Sequence, residues 1–392
     1  MPNCECHSVR WKNRPAYRLS NGSVELTVLL GGGHIVDLRL SGSPLNIMWE
    51  APWLTIDPHT FSFAKHSALY GDETVGKFLS GYSGHALVLG YFGLPSAREA
   101  AQGLPLHGEA ASAQWTLISA EESGEWASLV LEVELPVYQL NLRRKITLNA
   151  GASTAAIDET VINHSGAEIS LQWVQHVTFG EPFYTRADAS LFVPVSRALT
   201  WPLGYEDHEL LPSNVEFTWP IAPIAKGGQA DLTIPFQQKG TGFLASLLLQ
   251  PERSHSYLAI HNRHHRVIAG YSFDRSRFPW ITLWEENCAR SYPPWNGTTQ
   301  ARGVEFGTSP MPLGLDQARE VRSLYDTPVL ANIPAGAQLK TSYEIFVSQV
   351  SASWKSISDV APSGIEPSDH SLIIRDRAQE LRLKSSRTVH SS

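Results

Sequence analysis

Apolar and polar positions alternate with a period of two along most of this chain. "SVELTVLL" and "HIVDLRL" stand on either side of a "GGG" turn and predict a hairpin. "QWTLISAEE", "ASLVLEVELPV" and "YQLNLRRKITLNA" continue the series. In the last of these, Leu140, Leu142, Arg144 and Ile146 share one face, and Asn141, Arg143, Lys145 and Thr147 the other. "TAAIDETVINHS" and "EISLQWVQHVTF" follow. After a Pro-rich stretch come "GFLASLLLQ", "SYLAIHN", "RVIAGYSF", "WITLWEEN", "GVEFGT" and "LKTSYEIFVSQV". Gly and Pro punctuate these runs at the short spacing of a sandwich. Two helical signals interrupt the pattern, a short one in "SAREAAQG" and a longer one in "SLIIRDRAQELRLK" near the C-terminus. No repeat of fixed period is present.

The pattern predicts an all-β protein with a large antiparallel sandwich. It divides the chain into an N-terminal tail (1–14), one β-sandwich domain (15–352) and a partly helical or disordered C-terminal extension (353–392). Length agrees, because a large sandwich can hold most of 392 residues in one unit. Aromatic residues make up 10% and charged residues only 18%, which suits a sheet protein with a sizeable core. A net charge of -7 without a basic cluster argues against nucleic acid or an acidic membrane surface as partner. No apolar run approaches the ~20 residues of a membrane helix. Cys4, Cys6 and Cys288 make an odd set with no disulfide framework, and the start lacks a signal-peptide layout, so the expected setting is cytoplasmic. "CECH" lacks the second ligand pair of a structural zinc site and is expected to belong to a disordered or surface start. His261, His264 and His265 in "HNRHHRV" are expected to form a polar hairpin turn rather than a metal cluster.

Three stretches set an ionisable residue among glycines and apolar residues at or near a strand end. They are "GLPLHGEA" with His107, "WVQHVTFGEPF" with His176 and "ARGVEFGTSP" with Glu305. Each alone is weak, since an isolated strand-end histidine is more often a surface or satisfied group and an isolated glutamate a solvated charge. Together, two imidazoles and a carboxylate suit paired acid/base work, in which one group takes a proton while another gives one.

In this order the stretches resemble the aldose 1-epimerases (galactose mutarotases). "NGSVELTVLLGGGHIVDLRL" is similar to their opening strand, Gly-Gly turn and second strand. "LPLHGEA", "VQHVTFGEPF" and "GVEFGTSPMP" are similar to the segments carrying their two catalytic histidines and their catalytic glutamate. The resemblance spans residues ~20–350. It implies the antiparallel β-supersandwich of the galactose mutarotase-like type. It also implies an isomerase that interconverts anomers of an aldose, with no metal and no organic cofactor. In that scheme Glu305 takes the proton of the anomeric hydroxyl, His176 gives one to the ring oxygen, and His107 bonds the substrate. The chain departs from the family around residues 78–93, where "FLSGYSGHALVLGYFG" stands in place of an Asn-Arg pair. The family's substrate-binding Asp has no clear counterpart, and Asp207 and Glu286 are the candidates. Arg290 is a candidate for a substrate hydroxyl or carboxylate.

Aromatic content fits a small-molecule carbohydrate as partner, because pyranose C–H faces stack on aromatic faces. Trp284 and Trp295, beside a "PPWNG" turn, are candidate walls, whereas Trp173 and Trp280 read first as core. A second copy of the chain, as a homodimer, is compatible with these expectations. Two other readings share the fold: a non-catalytic carbohydrate-binding protein, and a sugar-active lyase or hydrolase.

Overall fold

The computed structural model describes residues 3–203, 209–363 and 371–387. Asp207 lies outside them. The alternating runs form two large antiparallel sheets. One has twelve strands; its middle is built by strands His85–Gly90, Ile169–Phe179, Gln300–Gly307, Trp280–Asn287 and Thr241–Leu249, paired in that order. The other has eight strands and includes Trp126–Leu135, Leu140–Asn149, Thr154–Asn163, Val267–Asp274 and Gln338–Gln349. Successive chain segments pass from one sheet to the other, so the two sheets enclose one main core. Leu87, Val177, Leu283 and Val304 of the first sheet meet Leu142, Ile157, Tyr271 and Ile345 of the second there. This is the predicted sandwich.

The face assignment for strand Leu140–Asn149 holds, Arg144 included. Leu140, Leu142 and Ile146 point into the core, and so does Arg144, which is fully buried. Its Nε donates to Glu159 Oε1 at 2.8 Å and its Nη1 to the Gly33 carbonyl at 2.8 Å. Glu159 also accepts from Gln175 Nε2 at 2.7 Å, Trp173 Nε1 at 3.2 Å and the Tyr343 hydroxyl at 3.2 Å. Gln175 Oε1 in turn meets His85 Nε2 at 2.8 Å. A charged pair in the core is tolerated because nearly every polar atom around it has a partner. Trp173 therefore belongs to the core, as does Trp280, whose indole donates to the Pro328 carbonyl at 3.0 Å.

Both ends of the chain differ from expectation. The expected tail is a strand, Glu5–Trp11, paired with Arg14–Ser20 at the edge of the larger sheet. Cys6, Val9 and Trp11 supply its more buried positions, and Cys4, only 3% exposed, joins the main core. The expected C-terminal helix is instead a hairpin of strands Ser371–Arg375 and Glu380–Lys384, in a three-stranded sheet with Asp359–Pro362. Leu372, Ile374 and Leu383 pack with Trp354 and Val360 against Tyr257, Ile268 and Phe346 of the eight-stranded sheet. The pairs Leu372/Ile374 and Leu381/Leu383 carry a period of two, and the polar "DRAQ" between the strands is the turn. "SAREAAQG" does form a short helix, Ala97–Ala101, closed by a reciprocal Ser96–Glu99 capping box. His264 and His265 lie in the turn after strand His255–Asn262, and His261 lies within that strand. Among the described residues, no group of three or more His, Cys, Asp or Glu side chains is arranged to hold a metal ion.

The buried Arg144–Glu159 ion pair gives a stability test. Glu159→Leu leaves the Arg144 guanidinium buried without a countercharge and is expected to cost about 3–5 kcal/mol. The double variant Arg144→Met/Glu159→Leu is expected to be less destabilised than Glu159→Leu alone. Urea unfolding midpoints of the wild type and the variants measure both effects.

Candidate active site

Side chains on a strand point alternately to the two faces of its sheet. In strand Ile169–Phe179, Trp173, Gln175 and Val177 face the inter-sheet core, so Val174, His176 and Thr178 face away from it. In strand Gln300–Gly307, Val304 and Phe306 face the core, and Glu305 faces away. The two strands are antiparallel neighbours, with Gln175 opposite Phe306 and Thr178 opposite Gly303. That register brings His176 Nε2 to 3.3 Å from Glu305 Oε1. His176 is thus three residues inside its strand rather than at its mouth, beneath a cover of helices and loops.

The cover comes from four segments. Helix Glu73–Gly81, capped by Asp72 accepting from the Val75 amide at 2.8 Å, lays Phe78 and Leu79 over the sheet. The turns at 92–94 and 104–107 bring in Phe92, Leu106 and His107, and the loop after strand Trp280–Asn287 brings in Arg290, Tyr292 and Trp295. Between cover and sheet lies an open cavity of about 360 Å³. His107, His176, Glu305, Trp284, Trp295 and Arg290 all line it. Six of the eight site residues expected from the sequence are therefore gathered in one cavity. Of the other two, Asp207 lies outside the described residues. Glu286 lies behind the wall: its Oε1 accepts from the Ala289 and Arg290 amides at 2.6 and 3.0 Å, and its Oε2 is 3.4 Å from Arg290 Nη1. It shapes the loop that presents Arg290, whose guanidinium stands 5.0 Å from the Trp295 ring centroid.

Backbone geometry fixes His107. Its φ of 67° is in the left-handed region, which a residue with a Cβ adopts at a cost. The His107 amide donates to the Gly93 carbonyl at 3.0 Å, and the Gly93 amide donates back to His107 Nδ1 at 3.1 Å. Nδ1 is then an acceptor, so the neutral ring carries its proton on Nε2 and can donate from there. Burial holds the His107 pKa well below the usual imidazole value, with the neighbouring His176 adding to the effect, so the ring stays a neutral donor. The two rings are 5.1 Å apart.

Burial also dominates the pair beside it. It pushes His176 down to about 3 and raises Glu305 well above the usual carboxylate range. Both shifts favour the uncharged forms, a protonated Glu305 beside a neutral His176. Glu305 Oε2 is buried and has no hydrogen-bond partner among the described residues. An unpaired buried acceptor beside a cavity is suited to a ligand hydroxyl.

Several contributors were not singled out in the sequence. Phe78 packs edge-on against His107 with centroids 5.0 Å apart, and Trp53 reaches Trp295 at 5.1 Å. The Tyr82 hydroxyl lies 3.0 Å from His176 Nδ1 and also contacts Thr178 Oγ1. Gly303 is constrained as well: a Cβ there would stand 2.4 Å from Glu305 Oε1 and 2.9 Å from the Trp284 ring. Only Thr178, two residues after His176, carried a local signal, the period of two that puts both on one face.

Keeping Glu305 neutral by burial has a measurable consequence. Its folded pKa lies above its unfolded one, so its contribution to stability is fully present below the unfolded value and is lost as pH rises toward the folded value. Glu305→Gln abolishes that loss. The variant is expected to melt higher than wild type at about pH 8, by a few degrees, with a smaller gap at about pH 4. Calorimetry at the two pH values checks this.

No protein-family model matches this chain, and no curated protein matches it. Solved structures do. A candidate aldose 1-epimerase from Klebsiella pneumoniae superposes with a TM-score of 0.62 at 15% identity, over 88% of this chain and 82% of the other. A galactose mutarotase-like protein from Clostridium acetobutylicum gives 0.58 at 13% identity, over 89% and 99%. A candidate mutarotase from Salmonella typhimurium gives 0.54 at 15% identity, over 88% and 94%. Likeness at such identities speaks to architecture, and it agrees with the resemblance drawn from the sequence: the chain has the galactose mutarotase-like β-sandwich fold.

Proposed function

We propose that the protein is an aldose 1-epimerase-like isomerase that interconverts the anomers of a free aldose by acid/base ring opening. The observation that carries this reading is the 3.3 Å contact of His176 Nε2 with Glu305 Oε1 on the cavity floor, with His107 beside it. The anomeric oxygen and the ring oxygen of a cyclic aldose are both bonded to C1. An acid and a base close together on one floor can therefore serve both at once.

The proton movements balance within the pair. A substrate hydroxyl donating to Glu305 Oε2 stabilises the carboxylate form and favours transfer of the resting proton to His176 Nε2. Glu305 then takes the proton of O1–H. The O–H electrons form the C1=O1 bond, the C1–O5 electrons return to O5, and O5 takes the proton from Nε2. Rotation about C1–C2 and reclosure by the reverse steps give the other anomer. His107 Nε2–H is a donor for a sugar oxygen, and Trp284 and Trp295 offer ring faces to the C–H side of the sugar. Among the described residues that line the cavity, Glu305 is the one carboxylate. Glycoside hydrolysis ordinarily uses two opposed carboxylates, so the lining favours isomerisation. No step draws on a metal or organic cofactor, and the proposed partner is a small-molecule sugar. Cys4, Cys6 and Cys288 are free thiols, in keeping with a proposed cytoplasmic setting.

Two measurements test the proposal. In a polarimetric or NMR anomerisation assay over a panel of aldoses, His176→Gln and Glu305→Gln are each expected to lower turnover by ~10²- to 10⁴-fold. Near-wild-type rates for both on an accepted sugar would move the protein to the carbohydrate-binding reading. The pH profile is the second measurement. Activity requires one proton on the pair, a second arrives only near His176's value of about 3, and the first is held by a Glu305 raised by burial. The kcat/KM is therefore expected to show no acid limb at the ordinary imidazole value of ~6.5, losing less than about twofold as the pH is lowered to roughly 5.

A further inference from the structure

We infer that Tyr82 is a positioning residue that selects the tautomer of His176, so that Nε2 alone gains and loses a proton. Tyr82 stands in the stretch "GYSG" that replaces the family's Asn-Arg pair, and it follows helix Glu73–Gly81 directly. It is 1% exposed, and its ring is stacked on Phe78 at 4.7 Å and tilted against Trp49 at 5.2 Å. The hydroxyl meets two groups, His176 Nδ1 at 3.0 Å and Thr178 Oγ1. Both belong to one strand, two residues apart and on the same face, so one tyrosine bridges them.

A phenol has one proton to give, and its direction decides the chemistry of the ring. If Tyr82 donated to Nδ1, neutral His176 would carry its proton on Nε2. The imidazolium would then set two hydrogens against each other at Nδ1. If Tyr82 accepts from Nδ1–H and donates to Thr178, the Nδ1 proton stays in place in both charge states. Nε2 is then bare in the neutral ring, able to accept from Glu305, and protonated in the cation, able to donate to a ring oxygen. The second arrangement suits proton exchange at Nε2, the nitrogen facing Glu305 and the cavity. It also matches a pair whose resting proton is on the carboxyl group. Thr178 completes the set by receiving the phenol proton, which turns Tyr82's lone pair toward the imidazole.

The role differs from that of a carboxylate behind a catalytic histidine. A neutral phenol orients the ring without adding negative charge, so it leaves His176 a weak base and a correspondingly strong acid.

The kinetic arm of the test rests on the proposed isomerase reading, and the spectroscopic arm does not. Long-range ¹H–¹⁵N correlation spectra of the full chain, with His176→Gln used to assign the signals, report which ring nitrogen carries hydrogen. Wild type at neutral pH is expected to show His176 as the Nδ1–H tautomer. Tyr82→Phe, which keeps the stacked ring, is expected to shift His176 toward the Nε2–H tautomer. On an accepted aldose, the same variant is expected to lower kcat by about tenfold or more with KM little changed, as part of the ~10²- to 10⁴-fold due to a positioned acid. Thr178→Val removes the acceptor of the phenol proton and is expected to move the tautomer the same way; it serves as the readout should Tyr82→Phe fold poorly. Thr178→Ser is expected to restore the wild-type spectrum. An Nε2–H tautomer in wild type, or one unchanged in both Tyr82→Phe and Thr178→Val, overturns the inference. If no aldose is turned over by wild type, the isomerase reading fails while the tautomer spectra still decide the role of Tyr82.

Discussion

One buried carboxylate ties the two sheets together. Glu159, on the eight-stranded sheet, accepts from Arg144 and Tyr343 of its own sheet and from Trp173 and Gln175 of the other. Trp173 and Gln175 alternate with the residues that face the cavity, so satisfying Glu159 on one side of the strand sets the position of His176 on the other. A slip of one residue would break the core network and turn His176 inward at once. The two sides of the strand thus share one constraint. On the core side an ion pair is compensated by hydrogen bonds, and on the cavity side a proton pair is left with an acceptor lacking any partner among the described residues.

The contrast explains the electrostatics of the cavity. Arg144 and Glu159 are both buried but lie in direct contact with each other and with other polar groups. Glu305 and His176 are buried under aromatic rings with little polar support, and burial dominates both of their shifts. A region of low polarity drives each group toward neutrality and leaves them one proton to exchange. Burying ionisable groups in this way costs stability, which is tolerable where the rest of the sheet is held firmly.

Much of this was legible in the sequence because period-two alternation is a local signal. The hairpin around "GGG", the strands carrying His176 and Glu305, and the inward row of Leu140, Leu142 and Ile146 all follow from it. The same signal was present in "SLIIRDRAQELRLK", where charged residues at helix-compatible spacing masked two short strands. At the N-terminus, "CECHSVRW" is too polar to stand out, although its pairing with Arg14–Ser20 makes it an edge strand. In the site, His107, His176 and Glu305 could be singled out because glycine and apolar neighbours made them conspicuous. Tyr82 could not, since its role depends on a hydroxyl reaching a strand 94 residues away. Glu286 was a candidate for the substrate-binding carboxylate that the family resemblance implies, and only the backbone path of residues 289 and 290 shows that its oxygens are engaged by the loop.

The cavity is made of two kinds of material. Its floor consists of pleated strands whose inner faces are locked into the core. Its walls are the helix at 73–81, the turns at 92–94 and 104–107, and the loop at 288–295, which arrive from separate parts of the chain. Changes in those walls need not disturb strand register, whereas changes in the floor reach the interior of the sandwich. Such an architecture allows the walls to be rebuilt while the floor, where the proposed acid/base pair stands, keeps its register. Divergence of this kind erodes overall sequence likeness long before it erodes shape.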